Sequence, residues 1–430
     1  MRRSVAPPPA DAAALIERRY PQKAPAVRTE TQRDRDRILY SSAFLRLGSV
    51  TQVASPERGH IFHSRLTHSL KVAQVARRLA ERLQVGEHEG AVADAVGALD
   101  ADAVEACALA HDLGHPPFGH LAEQELHKKA ATFGGFQGNA QSFRILTRLA
   151  VRAVPDPGLN LTRQTLNGVL KYPWLQHVDD PDKADDWGVY DADRDDFAWV
   201  RAHSGDTDAA ALEARIMDWA DDLTYAIHDM DDFFRAGLIP LDSLCRGEDE
   251  LDAFLRHLEA NEPDAAPHAE HVFNLLAITA RYEGRVDERA QLREMGSTLV
   301  TQYMNAFRVV PDGDGVAVEI DDGPHQQVTV LKELIWFYII ERPSLAITQA
   351  GQRKLIRELV DLYMTAVDDP KQHALLGPVY AERLEAAETE PAKQRVVIDL
   401  VASMTEDSAL EVYRRAMGIT PGSVLTAPRI

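Results

Sequence analysis

Residues 108–123 read ALAHDLGHPPFGHLAE, and the neighbouring pattern follows from this stretch. Just upstream, Ala103, Ala106 and Ala110, with Leu109 beside them and Leu113 beyond, recur at three- and four-residue spacing, which predicts a short helix. Gly114 and the pair Pro116–Pro117 close it, since neither residue type continues a helix well. The apolar run ends in His111-Asp112. Two ionisable side chains there are costly to bury unless they pair or hold a cation. Imidazole and carboxylate donors without a thiolate suit Mn, Fe, Co, Ni or Mg. One such pair does not complete a coordination shell, so a His and an Asp from other helices are needed.

On the N-terminal side, Leu66, Leu70, Ala73, Ala76, Leu79 and Leu83 mark an amphipathic helix that His68 opens. On the C-terminal side, Leu212, Ile216, Trp219, Leu223, Ile227 and Met230 mark another. In its stretch ARIMDWADDLTYAIHDMDD, Asp221, Tyr225 and Asp229 stand at i, i+4 and i+8. At about 100° per residue they fall within about 80° of one another. A polar stripe beside an apolar face lines something, although Asp218, Asp222, Asp231 and Asp232 would equally make a solvated acidic surface. Residues 60–127 hold His60, His63, His68, His88, His111, His115, His120 and His127, half of the 16 histidines.

Further helices are expected near 270–282, 288–307, 331–341, 346–367 and 393–417. One hairpin is expected from VAVEI (316–320) and QVTV (327–330). The chain therefore reads as all-α with at most a small β-hairpin. Three regions follow: a disordered tail over 1–27, which holds Pro7, Pro8, Pro9, Pro21 and Pro25; a core over 28–240, which the resemblance described below makes the catalytic one; and a helical region over 241–430 that completes the fold and, by the same resemblance, an oligomer interface. Residues 175–208, acidic and without a period, read as a surface insertion or lid.

The 430 residues carry a net charge of −20, which argues against sequence-independent duplex binding; single-strand binding stays open. Residues 1–82 are nevertheless basic, with 16 Lys+Arg against 7 Asp+Glu, and this suggests a local anionic ligand. No stretch approaches about 18 consecutive apolar residues, so no membrane span is expected. The start, MRRSVAPPPADAAALIERRY, lacks the continuous apolar run of a signal peptide. Cys107 and Cys245 give no disulfide framework, and the cytoplasm is the expected compartment.

Six motifs occur in order: RDRDRILYSSAFLRLGSVTQV (33–53), HSRLTHSLKVAQVAR (63–77), ALAHDLGHPPFGHLAE, FQGNAQSFRIL (136–146), LKYP (170–173) and WADDLTYAIHDMDD (219–232). Together they resemble the deoxyguanosinetriphosphate triphosphohydrolase family of the HD-domain superfamily, closely over 28–235 and more loosely to VVIDLVASMTEDSALEVYRR (396–415). The resemblance implies an HD-type helical fold with additional C-terminal helices. It also implies metal-dependent cleavage of a dNTP to the deoxynucleoside and inorganic triphosphate. It makes His68, His111, Asp112 and Asp221 the ligands of a divalent metal ion such as Mn2+ or Mg2+. It makes His120, polarised by Glu123 and accompanied by His115, the proton-transfer group. Gln52 and Asp229 match positions that bind the sugar 3′-hydroxyl, and Tyr225 the ring packed on the deoxyribose. Arg46, Arg65, Asn139, Lys171 and Tyr172 match polar positions around the phosphates. A homo-oligomer is usual in the family, and the base preferred and the need for a nucleotide activator stay open. One departure is visible in MTEDSA (404–409), where the family commonly has an aspartate in place of Glu406. Two other readings remain: an HD-type nucleotidase or phosphodiesterase, which would need neither GNAQ nor the Asp221–Tyr225–Asp229 stripe, and a non-enzymatic nucleotide sensor.

Overall fold

Small side chains decide how closely the central helices approach. Ala73, Ala76 and Ala80 of the Arg65–Val85 helix and Ala103, Ala106 and Ala110 of the Ala101–Ala110 helix are all buried, and the two helices pack directly on each other. Alanines at such a contact shorten the distance between helix axes. The Leu212–Thr224 helix packs on both, through Ile216, Ala220 and Leu223. These helices form the centre of a large apolar core that continues to Phe254, Tyr303 and Ile339. The computed structural model describes residues 1–430 except 10, 23–26, 53–63, 155, 248, 341–345 and 421–430, so His60 and His63 lie outside the described residues. Among the described residues the architecture is all-α with one small sheet, as the sequence implies.

A second core is built around the His120–Ala130 helix. Its Ala122 and Leu126 pack with Leu355, Ile356, Leu359 and Tyr363 of the Ala346–Val367 helix. Val397 and Leu400 of Glu390–Ala402 and Ala409 of Glu406–Ala416 complete it. The chain thus leaves the first core at Leu113 and enters the second at Ala122. The connecting segment, His111 to Gly119, lies at the junction.

Several sequence expectations are corrected. The N-terminal residues are not a tail where they are described: Arg2–Ser4 forms strand β1. Phe307–Asp312 forms β2 and Gly315–Ile320 forms β3, and the antiparallel sheet has the order β1-β3-β2 with Arg3 opposite Val318 and Val309 opposite Val318 on the other edge. VAVEI is a strand as expected, but its hairpin partner precedes it. QVTV lies instead inside the Asp322–Ile335 helix, where Val328, Val330 and Leu331 are buried. Residues 175–208 are not an external lid: Trp187, Val189, Tyr190 and Val200 are buried, and so are Asp193 and Asp196. Their charges are met by arginines, Asp193 by Arg144 at 2.8 Å and Asp196 by Arg19 at 2.6 Å. The expected single helix over 393–417 is two, Glu390–Ala402 and Glu406–Ala416, because Thr405 caps the second by accepting from the Ser408 N–H. In the Arg65–Val85 helix Leu70 is exposed and Val72 takes its place in the core.

Candidate active site

His68 comes from the first turn of the Arg65–Val85 helix, His111 and Asp112 follow the Ala101–Ala110 helix, and Asp221 meets them from Leu212–Thr224. His68 Nε2 lies 2.9 Å from Asp221 Oδ1. His111 Nε2 lies 3.6 Å from the same oxygen and 3.5 Å from Asp112 Oδ1. The Nδ1–H of His111 donates to the Ala108 carbonyl at 2.7 Å, which leaves the lone pair on Nε2. That nitrogen is buried and has no hydrogen-bond partner among the described residues. In the neutral ring this lone pair faces two carboxylate oxygens, an arrangement that a cation between them relieves. His68, His111 and Asp112 present donor atoms within 4.8 Å of one another. Asp229 backs His68 at 3.5 Å from Nδ1, as an outer carboxylate backs a ligating imidazole. This donor set fits a divalent metal ion. Asp222 is instead paired with Lys332 at 2.6 Å.

The helix that carries Asp221 changes pitch at the site. Residues Tyr225–Asp229 form a π-turn between Leu212–Thr224 and Met230–Arg235. Four α-helical residues overshoot a full turn by roughly 40°. A wider π-turn rotates less per residue and offsets that drift. Asp221 and Asp229 therefore both reach His68, from its two ring nitrogens.

A second cluster adjoins the first. His115 Nδ1 lies 3.0 Å from Asp112 Oδ1, and the His115 and His120 rings stand 5.3 Å apart. His120 is exposed and its Nδ1 pairs with Glu123 Oε2 at 2.8 Å. The other Glu123 oxygen accepts from the Gly138 N–H. Burial alone would raise the Glu123 pKa, but His120, His115 and Gly138 hold it down at about 2. Asp112 is buried as well, and the Arg65 guanidinium at 2.8 Å holds its carboxyl well below the usual carboxylate range against that burial. Phe118 and Gly119, at φ 67° and 58°, turn the chain so that His120 begins the next helix.

The residues expected at the substrate divide into two groups. Gln52 reaches the site: its carbonyl accepts from Arg65 Nη2 at 3.4 Å, and its Oε1 is buried without a partner among the described residues. Asn139 is half-buried beside the Gly138 amide that Glu123 holds. Tyr225 and Asp229 line the helix next to Asp221. Lys171 pairs with Asp218 at 2.5 Å and lies 5.6 Å from the Tyr172 ring centre. Arg46 differs. Its guanidinium donates to the carbonyls of Leu113 and His115 at 2.8 Å and of Met404 at 3.1 Å, so it fixes the backbone of the His111–Gly119 segment. Arg65 likewise has a protein partner, Asp112.

Residues 65–158 match the HD domain and residues 318–415 match a phosphohydrolase-associated domain. Over 96% of its length the chain is 35% identical to a deoxyguanosinetriphosphate triphosphohydrolase-like protein of Streptomyces coelicolor, covering 98% of that protein. A protein with the same description from Brucella anthropi is 34% identical, with 97% of each chain covered. One from Corynebacterium diphtheriae is 35% identical over 89% of this chain and 90% of its own. The chain belongs to this triphosphohydrolase-like family. It is an HD-domain hydrolase, and the helical fold and the His/Asp cluster agree with that placement. Within the family fold, two features were not legible in the sequence. The Ala108 carbonyl that sets the His111 tautomer is a backbone group and leaves no residue signature. Arg3, from β1, pairs with Asp218 at 2.9 Å beside Lys171, across more than two hundred residues of chain. Among the described residues no helix is long and apolar enough to cross a membrane.

Proposed function

We propose that this protein cleaves deoxynucleoside triphosphates to the deoxynucleoside and inorganic triphosphate. One observation carries the reading: the His120–Glu123 pair adjoins the His68, His111, Asp112 and Asp221 cluster, with His115 between them. A divalent ion such as Mn2+ or Mg2+, held by those four residues, would neutralise phosphate oxygens and lower the pKa of water. His120, oriented through Nδ1 by Glu123, moves a proton at the scissile phosphate through Nε2. Arg65 keeps Asp112 ionised and fixed in direction. Gln52 Oε1 and Asp229 meet the sugar 3′-hydroxyl, and Tyr225 packs where a ribose 2′-hydroxyl would clash. Lys171, Tyr172 and Asn139 face the phosphates, Lys171 exchanging its pairing with Asp218 for substrate. The chain acts as a homo-oligomer in the cytoplasm.

The test is incubation with each of the four dNTPs and Mn2+ or Mg2+, with and without a second nucleotide. Deoxynucleoside and intact triphosphate should appear in equal amounts, and ribonucleotides should be cleaved far more slowly. Orthophosphate or a nucleoside monophosphate as the first product would instead establish a nucleotidase or phosphodiesterase.

A further inference from the structure

Glu406 belongs to the first turn of the C-terminal Glu406–Ala416 helix, far in sequence from the histidines. Its carboxylate nevertheless ends at the site. Oε1 accepts from the Thr51 N–H at 2.9 Å and from the Phe118 N–H at 3.3 Å, and Oε2 accepts from the Thr51 hydroxyl at 2.8 Å. Thr51 precedes Gln52. Phe118 lies between His115 and His120, in a left-handed backbone conformation that a side chain with a Cβ rarely adopts. One carboxylate therefore joins the segment carrying Gln52 to the turn carrying both histidines. Two other contacts fix the same junction. The Phe118 ring packs on the second core, and Arg46 links the Met404 carbonyl to those of Leu113 and His115.

We infer that Glu406 is a positioning residue of the active site, setting the distance between the sugar-side Gln52 and the proton-transfer group His120. Two N–H groups and one hydroxyl converge on it, and a carboxylate is acceptor-only with two oxygens, so it satisfies all three. A neutral amide keeps one such oxygen for the two N–H groups without the charge, and its NH2 group must donate to the Thr51 hydroxyl, reversing that bond. Ordinary folding needs do not require this particular tie, because Thr405 caps the helix independently. The inference takes its assay from the triphosphohydrolase reading, but amide exchange tests it without any substrate.

The experiment compares Glu406→Ala, Glu406→Gln and Thr51→Val with the unaltered full chain. Bound metal and melting temperature should stay the same in all. In Glu406→Ala, kcat should fall and KM should rise together, with kcat/KM down by roughly 10²-fold, the scale of a 1 Å misplacement. Glu406→Gln should lie between. Thr51→Val should lose less and should add nothing in the Glu406→Ala background. Hydrogen exchange at the Thr51 and Phe118 amides should accelerate in Glu406→Ala while the Glu390–Ala402 helix stays protected. A fall in kcat with unchanged KM, a loss of metal, or unchanged exchange at both amides would overturn the inference. If Glu406→Ala does not fold, Glu406→Gln and Thr51→Val read the same tie. If the unaltered protein cleaves no dNTP, the functional reading fails, and the exchange result still decides for or against Glu406.

Discussion

Asp221 and Asp222 are neighbours with different partners, His68 for the first and Lys332 for the second. Asp221→Asn should therefore abolish metal binding and turnover, whereas Asp222→Asn should keep its metal; bound metal per chain checks both. Asp112→Ala should match Asp221→Asn, and it also leaves Arg65 buried without its carboxylate. His120→Ala should keep the metal and the dNTP affinity but lose roughly 10²–10⁴-fold in single-turnover rate, with Glu123→Gln milder. Loss of metal from the His120 variant would make it a ligand. His68 supplies a pH prediction. Burial would lower its pKa from 6.5, but Asp229 and Asp221 raise it to about 10. The metal-free site thus holds a proton at neutral pH, and an incoming cation displaces it. Apparent metal affinity should rise by about tenfold per pH unit up to that value, with about one proton released per metal; calorimetry in buffers of different ionisation heat measures the release. The sign for stability of the metal-free protein is opposite. Because the folded pKa is the higher one, the His68–aspartate contacts stabilise the fold fully below pH 6.5 and lose their effect as pH rises towards about 10.

The segment between the two cores depends on close backbone approach at one position. A Cβ on Gly114 would meet the Gly138 carbonyl oxygen at 2.1 Å and the Ser142 nitrogen at 2.3 Å, neither of which belongs to a flexible side chain. Gly114→Ala should cost about 1–3 kcal/mol, and should lower activity further by pushing the histidine turn away from Gly138 and hence from Glu123; a melting curve and a rate on the same preparation separate the effects. The alanine and leucine periods that mark the buried helices were legible because burial on one face is a local pattern. His111-Asp112 was readable because it directly follows one such helix, and Asp221 because its stripe begins on another, but joining them with His68 as one ligand set rested on the family resemblance. What was not legible has non-local causes. Val328 and Val330 read as strand residues, but the neighbours that bury them belong to other helices. Asp193 and Asp196 read as solvated charge until Arg144 and Arg19 are placed against them. A π-turn over Tyr225–Asp229 has no composition of its own, and it improves an alignment that ideal helical spacing already suggested.

Arg144 ties three regions of the molecule together. It bonds Asp399 of the Glu390–Ala402 helix at 3.0 Å and Asp193 of the acidic segment at 2.8 Å, while standing on the Gly138–Arg144 helix itself. Both carboxylates are almost wholly inaccessible, so Arg144→Met should destabilise by about 3–5 kcal/mol through the charges it leaves unpaired; chemical denaturation measures it. Asp399→Asn should be milder, because Gln141 still donates to that side chain. The sheet ties the molecule together differently. β1 pairs residue 2 with residue 319, residue 3 with 318 and residue 4 with 317. During synthesis at roughly 5–20 residues per second, the first strand waits on the order of 15–60 s before its partner exists. The helices made in the meantime bury their own faces locally, whereas the backbone of this strand has no ladder partner until β3 has been translated, although Arg3 can meet Asp218 before then. A strand made early is thus among the last elements to be hydrogen-bonded into the fold.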